Sequence, residues 1–157
     1  MKQYIQPFID GCEEVFRDLC GIEVKAGRAF FVSKDEFETI WDVSGIIGLS
    51  GDANGAVAIS LKEATAYGLT KILTGDEHTS VDRFVTDAMG EIINIIAGNV
   101  KNIYEKKHRI RITMPSIIKG KAHSIVWPSE RARIICIPFS IFGDQEFCLS
   151  VAVEQSK

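Results

Sequence analysis

Glu91 and Asn94 are the residues of this 157-residue chain whose types and spacing are best suited to chemistry. Side chains three positions apart on a helix project together, so this spacing places a carboxylate beside a carboxamide. The carboxamide donates and accepts hydrogen bonds at once, whereas the carboxylate only accepts them. Asp87 and Gly98 fall on the same helix face, one turn before Glu91 and one turn after Asn94. The glycine there would let the backbone of another molecule approach closely.

A polar helix face is most often no more than a solvated surface, and that interpretation applies here unless other features oppose it. Two features do. Gly98 lies inside a helical pattern that has no local need for it, at a cost of about 1 kcal/mol relative to alanine. Asn94 is a poor helix former, whereas solubilising faces usually carry pairs of lysine and glutamate.

The helix that carries these residues is predicted to begin after Ser80, which is a good N-cap, and to run over about 80–106. Asp82 lies in its first turn, where a negative charge is favourable. At 100° per residue, one broad arc is apolar. It contains Val81, Phe84, Val85, Ala88, Met89, Ile92, Ile93, Ile95, Ile96, Val100 and Ile103. The polar face lies opposite that arc.

Two further helices are predicted, over residues 3–20 and 62–74. The first is closed by Gly21, in the position where a left-handed cap is needed, and the second is stopped by Gly75. Strand-like segments occupy residues 25–33, 41–50 and 55–61, and the last two are predicted to form a hairpin around residues 51–55. From 110 to 153 the chain is a β half, with strand-like segments at 112–120, 123–127, 131–142 and 146–154. The sequence therefore predicts an α+β domain, an antiparallel sheet packed with three helices, spanning 1–157.

Composition excludes several classes of function. Hydrophobic residues make up 46% of the chain and charged residues 25%, a soluble globular profile. A net charge of −3 with no basic stripe argues against nucleic acid. No apolar run approaches the roughly 20 residues that span a bilayer, and the start of the chain is too acidic for a signal peptide, so we expect a cytoplasmic protein without a membrane partner. The four cysteines and three histidines lack ligand spacing, so we expect reduced thiols and no metal site.

The stretch from Asp87 to Asn99, DAMGEIINIIAGN, resembles the ExxN signature helix of the CheC/CheX/FliY phosphatases of bacterial chemotaxis, written D-x3-E-x2-N-x3-G. The similarity looks closest to CheX and extends beyond the motif. It includes PFIDGCEEVFRDLCGIE, VSGIIGLSGDANGAVAISL, TMPSIIKG and FCLSVAVE. This resemblance implies a CheC-like fold whose longest helix carries the site.

The resemblance also implies an activity, the removal of phosphate from the phospho-aspartate of a CheY-like response regulator. Asn94 would orient the attacking water, and Glu91 would pair with the lysine of the receiver active site. Asp87 and Gly98 would contact the partner. The chain would need no cofactor of its own, since Mg²⁺ is expected in the partner receiver. A homodimer is expected as well, and an apolar segment near 134–142 would be hazardous as an exposed sheet edge.

The first helix carries a partial copy of the motif, 77 residues earlier. Asp10, Glu14, Arg17 and Gly21 align with Asp87, Glu91, Asn94 and Gly98. Some family members have two such sites. Here an arginine replaces the amide and cannot present a carboxamide to water, so one working site is expected.

Two other functions fit parts of the pattern. A non-catalytic receiver-binding or flagellar-switch module would keep the fold without turnover, and the lifetime of a phospho-receiver distinguishes it from a phosphatase. A hot-dog thioesterase also packs a long helix against an antiparallel sheet, and hydrolysis of a short acyl-CoA would reveal it.

Overall fold

A computed structural model describes residues 2–32, 40–106, 108–127 and 131–155. Three helices pack with an eight-stranded sheet, which confirms the predicted α+β class. The helices are α1 (Lys2–Cys20), α2 (Glu63–Thr74) and α3 (Arg83–Tyr104). The strands are β1 (Lys25–Ala26), β2 (Phe30–Val32), β3 (Trp41–Gly51), β4 (Ala53–Leu61), β5 (Ile110–Ile112), β6 (Ser116–His123), β7 (Arg133–Ile141) and β8 (Gln145–Gln155).

The sheet is antiparallel, in the order β1-β7-β8-β4-β3-β5, with β2 also paired to β7 and β6 also paired to β3. This order has a two-fold character. Exchanging β1 with β5, β2 with β6, β3 with β7 and β4 with β8 reproduces every pairing. The chain therefore consists of two halves, α1-β1-β2-β3-β4 and α3-β5-β6-β7-β8, with α2 between them. The partial copy of the motif on α1 agrees with this repeat.

All three helices contribute side chains to one hydrophobic cluster with the sheet. Phe16 of α1 stacks on Phe147 of β8 with ring centroids 5.0 Å apart, and Phe147 stacks in turn on Phe139 of β7 at 4.9 Å. Under α3, a Cβ added to Gly45 would lie 3.1 Å from Cγ2 of Ile93. The missing side chain at Gly45 thus lets α3 lie close against β3. This contact sets the distance between the helix and the sheet.

The predicted hairpin is confirmed, but its turn is shorter than expected. β3 and β4 run to Gly51 and from Ala53, so only Asp52 lies between them. Its carboxylate accepts a hydrogen bond from the backbone of Arg109 at 2.7 Å, and its N–H donates to the Arg109 carbonyl at 3.0 Å. These contacts with the other half of the chain stabilise the tight turn.

Four other predictions of local structure need correction. The segment 112–120 is not one strand, because β5 ends at Ile112 and β6 begins at Ser116. Residues 25–33 form two short strands instead of one, and Ser33 lies outside the described residues. The segment 123–127 is not a strand, since β6 ends at His123. The apolar segment 134–142 is not a sheet edge, because β7 lies between β8 and the pair β1 and β2. That segment therefore gives no support for a dimer.

Candidate functional site

Helix α3 begins two residues later than the sequence suggested. Asp82, not Ser80, is its N-cap, and the carboxylate accepts a hydrogen bond from the backbone N–H of Val85 at 3.0 Å. His78 Nδ1 lies 3.0 Å from the other carboxylate oxygen of Asp82. The hydrogen bond with His78, together with the one from Val85, lowers the pKa of Asp82 below its usual value. A charged cap held by a neighbouring imidazole is stronger than a serine two residues earlier.

The four predicted site residues lie together on one face of α3. Asp87, Glu91 and Asn94 are exposed and Gly98 is half-exposed. The opposite face is buried against the sheet and the other helices. Within the described ranges, no side chain forms a hydrogen bond or ion pair with Asp87, Glu91 or Asn94. The carboxylates and the amide are therefore available to an incoming molecule.

Gly98 has no role in packing among the residues that the structure describes. A Cβ built there would meet nothing within 4 Å, and its backbone lacks the positive φ that would require glycine. In a helix interior such a glycine costs about 1 kcal/mol relative to alanine. The open space lies beside Asn94, where a close approach by another molecule would benefit from it.

Phe84 belongs to this exposed face, contrary to the prediction that it lies in the apolar arc. Its side chain is 51% exposed. It precedes Glu91 by seven residues, nearly two helical turns, so it points to within about 20° of Glu91. The guanidinium of Arg83 lies 5.3 Å from its ring centroid, and the ring of His78 is 5.9 Å away. Phe84 sits at the margin of the arc, where hydrophobicity alone does not decide burial. Ile103, also assigned to the arc, is exposed in the last turn of α3.

The segment before β6 borders the site on the other side. A Cβ added to Gly90, the residue before Glu91, would lie 3.8 Å from Cγ of Pro115 and 4.0 Å from Cδ1 of Ile117. Met114 directly precedes Pro115 and is 86% exposed, the highest exposure among the large hydrophobic side chains described. The hydrophobic pattern assigned Phe84 to the apolar arc and gave no sign that Met114 would lie beside the site. Their exposure depends on the packing of α3, which periodicity does not reveal.

The face of α1 that carries the partial copy of the motif differs from the face of α3 in two respects. Asp10, Glu14 and Arg17 are exposed there, as their counterparts are on α3. The first difference is that Asp10 has a partner, because the side chain of Gln6 donates a hydrogen bond to it at 2.8 Å. Gly21, however, ends its helix. It has a φ of +66° and donates its N–H to the carbonyl of Arg17 at 3.1 Å. The backbone requires glycine at this cap, so Gly21 is not the structural equivalent of Gly98.

The cysteines have the features of core thiols. Cys12, Cys20 and Cys148 are buried and Cys136 is half-buried. Burial raises the pKa of Cys12, and raises that of Cys20 to about 11, so both stay protonated and unreactive. In the described part of the chain, no three His, Cys, Asp or Glu side chains cluster so as to hold a metal ion. No helix of the described segments has the length and hydrophobicity needed to cross a membrane.

Comparison with known proteins identifies relatives of this arrangement. Residues 43–140, more than half of the chain, match the family model of the chemotaxis phosphatase CheX. The structure is similar to CheX of Vibrio vulnificus, with a TM-score of 0.85 and 28% identity over 97% of this chain and 99% of that one. CheX of Desulfovibrio desulfuricans has a TM-score of 0.85 and 25% identity over 97% and 99% of the two chains. No curated protein matches the sequence.

A third similar structure includes a partner. It is the complex of CheX, CheY, BeF₃ and Mg²⁺ from Borrelia burgdorferi, with a TM-score of 0.79 and 27% identity over 96% of this chain and 97% of that one.

Proposed function

This chain belongs to the family of the chemotaxis phosphatase CheX, and we propose that it removes phosphate from the phospho-aspartate of a CheY-like receiver. A relative of similar structure forms a complex with CheY, BeF₃ and Mg²⁺, which supports a receiver as the partner. The observation that carries the proposal is the unpaired state of Glu91 and Asn94 on a solvent-facing helix, beside a glycine that the fold itself does not need.

The proposed reaction requires this face of α3 to position groups and not to form a covalent bond. Hydrolysis of a phosphoryl group requires a water in line with the leaving carboxylate, and positioning together with charge stabilisation supplies most of the rate. Asn94 holds that water, because its carboxamide accepts a hydrogen bond from the water and donates another to a phosphoryl oxygen. It does so without acting as a strong base.

Glu91 sets the register between the two proteins. Its carboxylate is one turn from Asn94 and pairs with the lysine of the receiver active site. Asp87 and Gly98 contact the receiver at either end of the Glu91–Asn94 pair. Gly98 has no side chain, so it leaves room for the backbone of the receiver. Since all four residues lie on one helix, capped by Asp82 and packed on the sheet, their spacing is set before the receiver arrives.

No cofactor bound by this chain takes part in the proposed reaction. The phosphorylated receiver would bring its own Mg²⁺, which would supply positive charge beside the phosphoryl oxygens. The site of action follows from the substrate: a receiver of the chemotaxis pathway places this protein in the cytoplasm.

The test is the lifetime of a phosphorylated receiver. We expect catalytic amounts of the protein to accelerate phosphate release from a phosphorylated CheY-like receiver many-fold over its own autodephosphorylation. If the protein bound the receiver stably and left that lifetime unchanged, it would be the non-catalytic module instead. Hydrolysis of a short acyl-CoA serves as the control for a thioesterase, and none is expected.

We propose that the protein acts as a homodimer. Phe30 and Phe31 of β2 are about half exposed, in a strand at one end of the sheet, and a second copy would cover them. Apolar side chains at a sheet margin favour association of this kind. Light scattering is expected to give twice the 17.4 kDa of one chain at micromolar concentration. A monomer across that range would refute the dimer.

A further inference from the structure

We propose that Phe84 and Met114 are two apolar contacts for the receiver, one on each side of the Glu91–Asn94 pair, and that they govern affinity and not turnover. The inference rests on the proposed function, since it takes the receiver as the occupant of this face. It adds two residues outside the signature motif, one of which lies on a different element of the fold.

Phe84 borders the pair toward the start of α3. It lies on the same face as Glu91 and half of its side chain is accessible. The ring has neighbours in its own chain, with the guanidinium of Arg83 5.3 Å from its centroid and the imidazole of His78 at 5.9 Å. His78 is in turn held by Asp82, at 3.0 Å. A supported aromatic ring loses little conformational entropy when a partner covers it, which makes it a good anchor.

Met114 borders the pair on the opposite side. The chain after β5 runs along α3 in the reverse direction, with Pro115 beside Gly90 and the ammonium of Lys119 within 3.5 Å of the Val81 carbonyl. Met114 precedes Pro115 and therefore lies level with the turn that holds Glu91 and Asn94. Its exposure of 86% leaves almost the whole thioether chain free to adapt to a partner.

The two contacts define the surface that this face fits. At its centre are a carboxylate and an amide, which suit a lysine and a phosphoryl group. On its flanks are a phenyl ring and a thioether, residue types enriched at protein interfaces. The partner therefore presents a recessed cationic and phosphorylated pocket between two apolar patches. Apolar side chains around a polar centre also exclude water, which strengthens the ion pair at Glu91.

The experiment compares Phe84→Ser and Met114→Ser with Val126→Ser as a matched control. Val126 is also exposed, at 64%, but it lies between Ile125 and Trp127, which line a cavity with Ser60 on the sheet face away from the helices. Two quantities are measured: the Kd for a receiver activated with beryllofluoride and Mg²⁺, and the kcat and KM for the phosphorylated receiver. Circular dichroism melting verifies that each variant is folded.

Loss of an interface anchor commonly costs more than 1 kcal/mol, so we expect Kd and KM to rise about fivefold or more in each serine variant. The kcat at saturating receiver should stay within about twofold, and Val126→Ser should match the parent in every quantity. Phe84→Leu and Met114→Leu should recover most of the affinity, since they restore apolar contact area.

Two outcomes would overturn the inference, and they differ from each other. If the parent hydrolyses the phospho-receiver and both serine variants keep its Kd and KM, these side chains are not contacts, while the phosphatase assignment stands. If the parent neither binds nor hydrolyses the receiver, the proposed function fails and this inference fails with it. Should the parent bind without hydrolysis, a weaker Kd in both serine variants would still support the contacts.

Discussion

Glu91 and Asn94 stand one turn apart on the exposed face of α3, and neither side chain has a hydrogen-bond partner among the residues described. Neither side chain therefore contributes noticeably to the stability of the fold. Changes at these positions should alter function while leaving the melting temperature almost unchanged, because exposed substitutions away from caps and cores rarely exceed 0.5 kcal/mol. A loss of activity in such a variant would therefore report on function and not on folding.

Asn94→Ala should abolish the chemistry and preserve docking. Deletion of a preorganised hydrogen-bonding group typically costs about 10²–10³-fold in kcat, or about 3–4 kcal/mol. The Kd for a beryllofluoride-activated receiver should change little, and a higher receiver concentration should not restore the rate. Stopped-flow measurement of phosphate release gives kcat, and a variant with parental kcat would show that Asn94 does not orient the water.

Glu91→Ala should fail in a different way. It removes one half of an interfacial ion pair and leaves the receiver lysine without its partner, so binding should weaken by about 2 kcal/mol or more. Raising the receiver concentration should recover part of the activity. Glu91→Gln is the matched control of equal size, and it should recover little because the partner is a cation. Titration calorimetry measures the loss, and an unchanged Kd would argue against the pairing.

The face of α1 should be catalytically silent. Glu14→Ala combined with Arg17→Ala should leave phosphate release within about threefold of the parent, since Arg17 replaces the amide and Gly21 serves only as a helix cap. The same assay that measures Asn94→Ala tests this variant. A loss comparable to that of Asn94→Ala would mean that the working site lies on α1.

Gly98→Ala should make the protein more stable and less active. A methyl group there meets nothing in the chain, so helix propensity should add up to about 1 kcal/mol to the free energy of unfolding. The same methyl group would obstruct a closely approaching receiver. Gly90→Ala is the control, because it makes the same change in the interior of α3 while its Cβ would make an ordinary contact with Pro115 of this chain at 3.8 Å. If both variants gain stability and both keep full activity, Gly98 is not a contact.

Asp82 should make the stability of α3 depend on pH. Its pKa is lower in the folded protein than in the unfolded chain, because His78 and the N–H of Val85 hydrogen-bond to the carboxylate. The stabilisation is therefore present above the unfolded pKa of about 4 and is lost as the pH falls through the lower folded value. Asp82→Ala should lower the melting temperature at neutral pH by a few degrees. Asp82→Asn retains an oxygen that can cap the helix. This variant should lose mainly the part of the stabilisation that depends on pH.

The sequence determined the helices well because their signals are local. The left-handed cap predicted at Gly21 is confirmed by its φ of +66°, and the helix predicted to stop at Gly75 does end there, with a φ of +81°. Glu91, Asn94, Asp87 and Gly98 share a face simply because α3 is a continuous helix, so their grouping followed from spacing alone. The roles of these residues came from the resemblance to a family and not from periodicity.

The predictions that failed depend on contacts between distant parts of the chain. Asp82 displaced Ser80 as the cap because His78 is positioned to hold its carboxylate. The turn at Asp52 is tight because the backbone of Arg109 binds both its carboxylate and its N–H. Phe84 and Met114 are exposed at the site because nothing in the described fold covers that margin of α3. The residues of one short segment do not show which distant parts of the chain will contact it.

The two-fold order of the sheet has a consequence for synthesis of the protein. In each half, the first two strands pair with the third strand of the other half: β1 and β2 pair with β7, and β5 and β6 pair with β3. At the centre of the sheet, β4 of the first half pairs with β8 of the second. Neither half can then complete its own sheet. Since α2, α3 and the strands β5, β6 and β7 all lie between β4 and β8 (Gln145–Gln155) in the chain, β4 has no partner on that side until the ribosome has made both halves. The helix that carries the site acquires its finished support only at that moment.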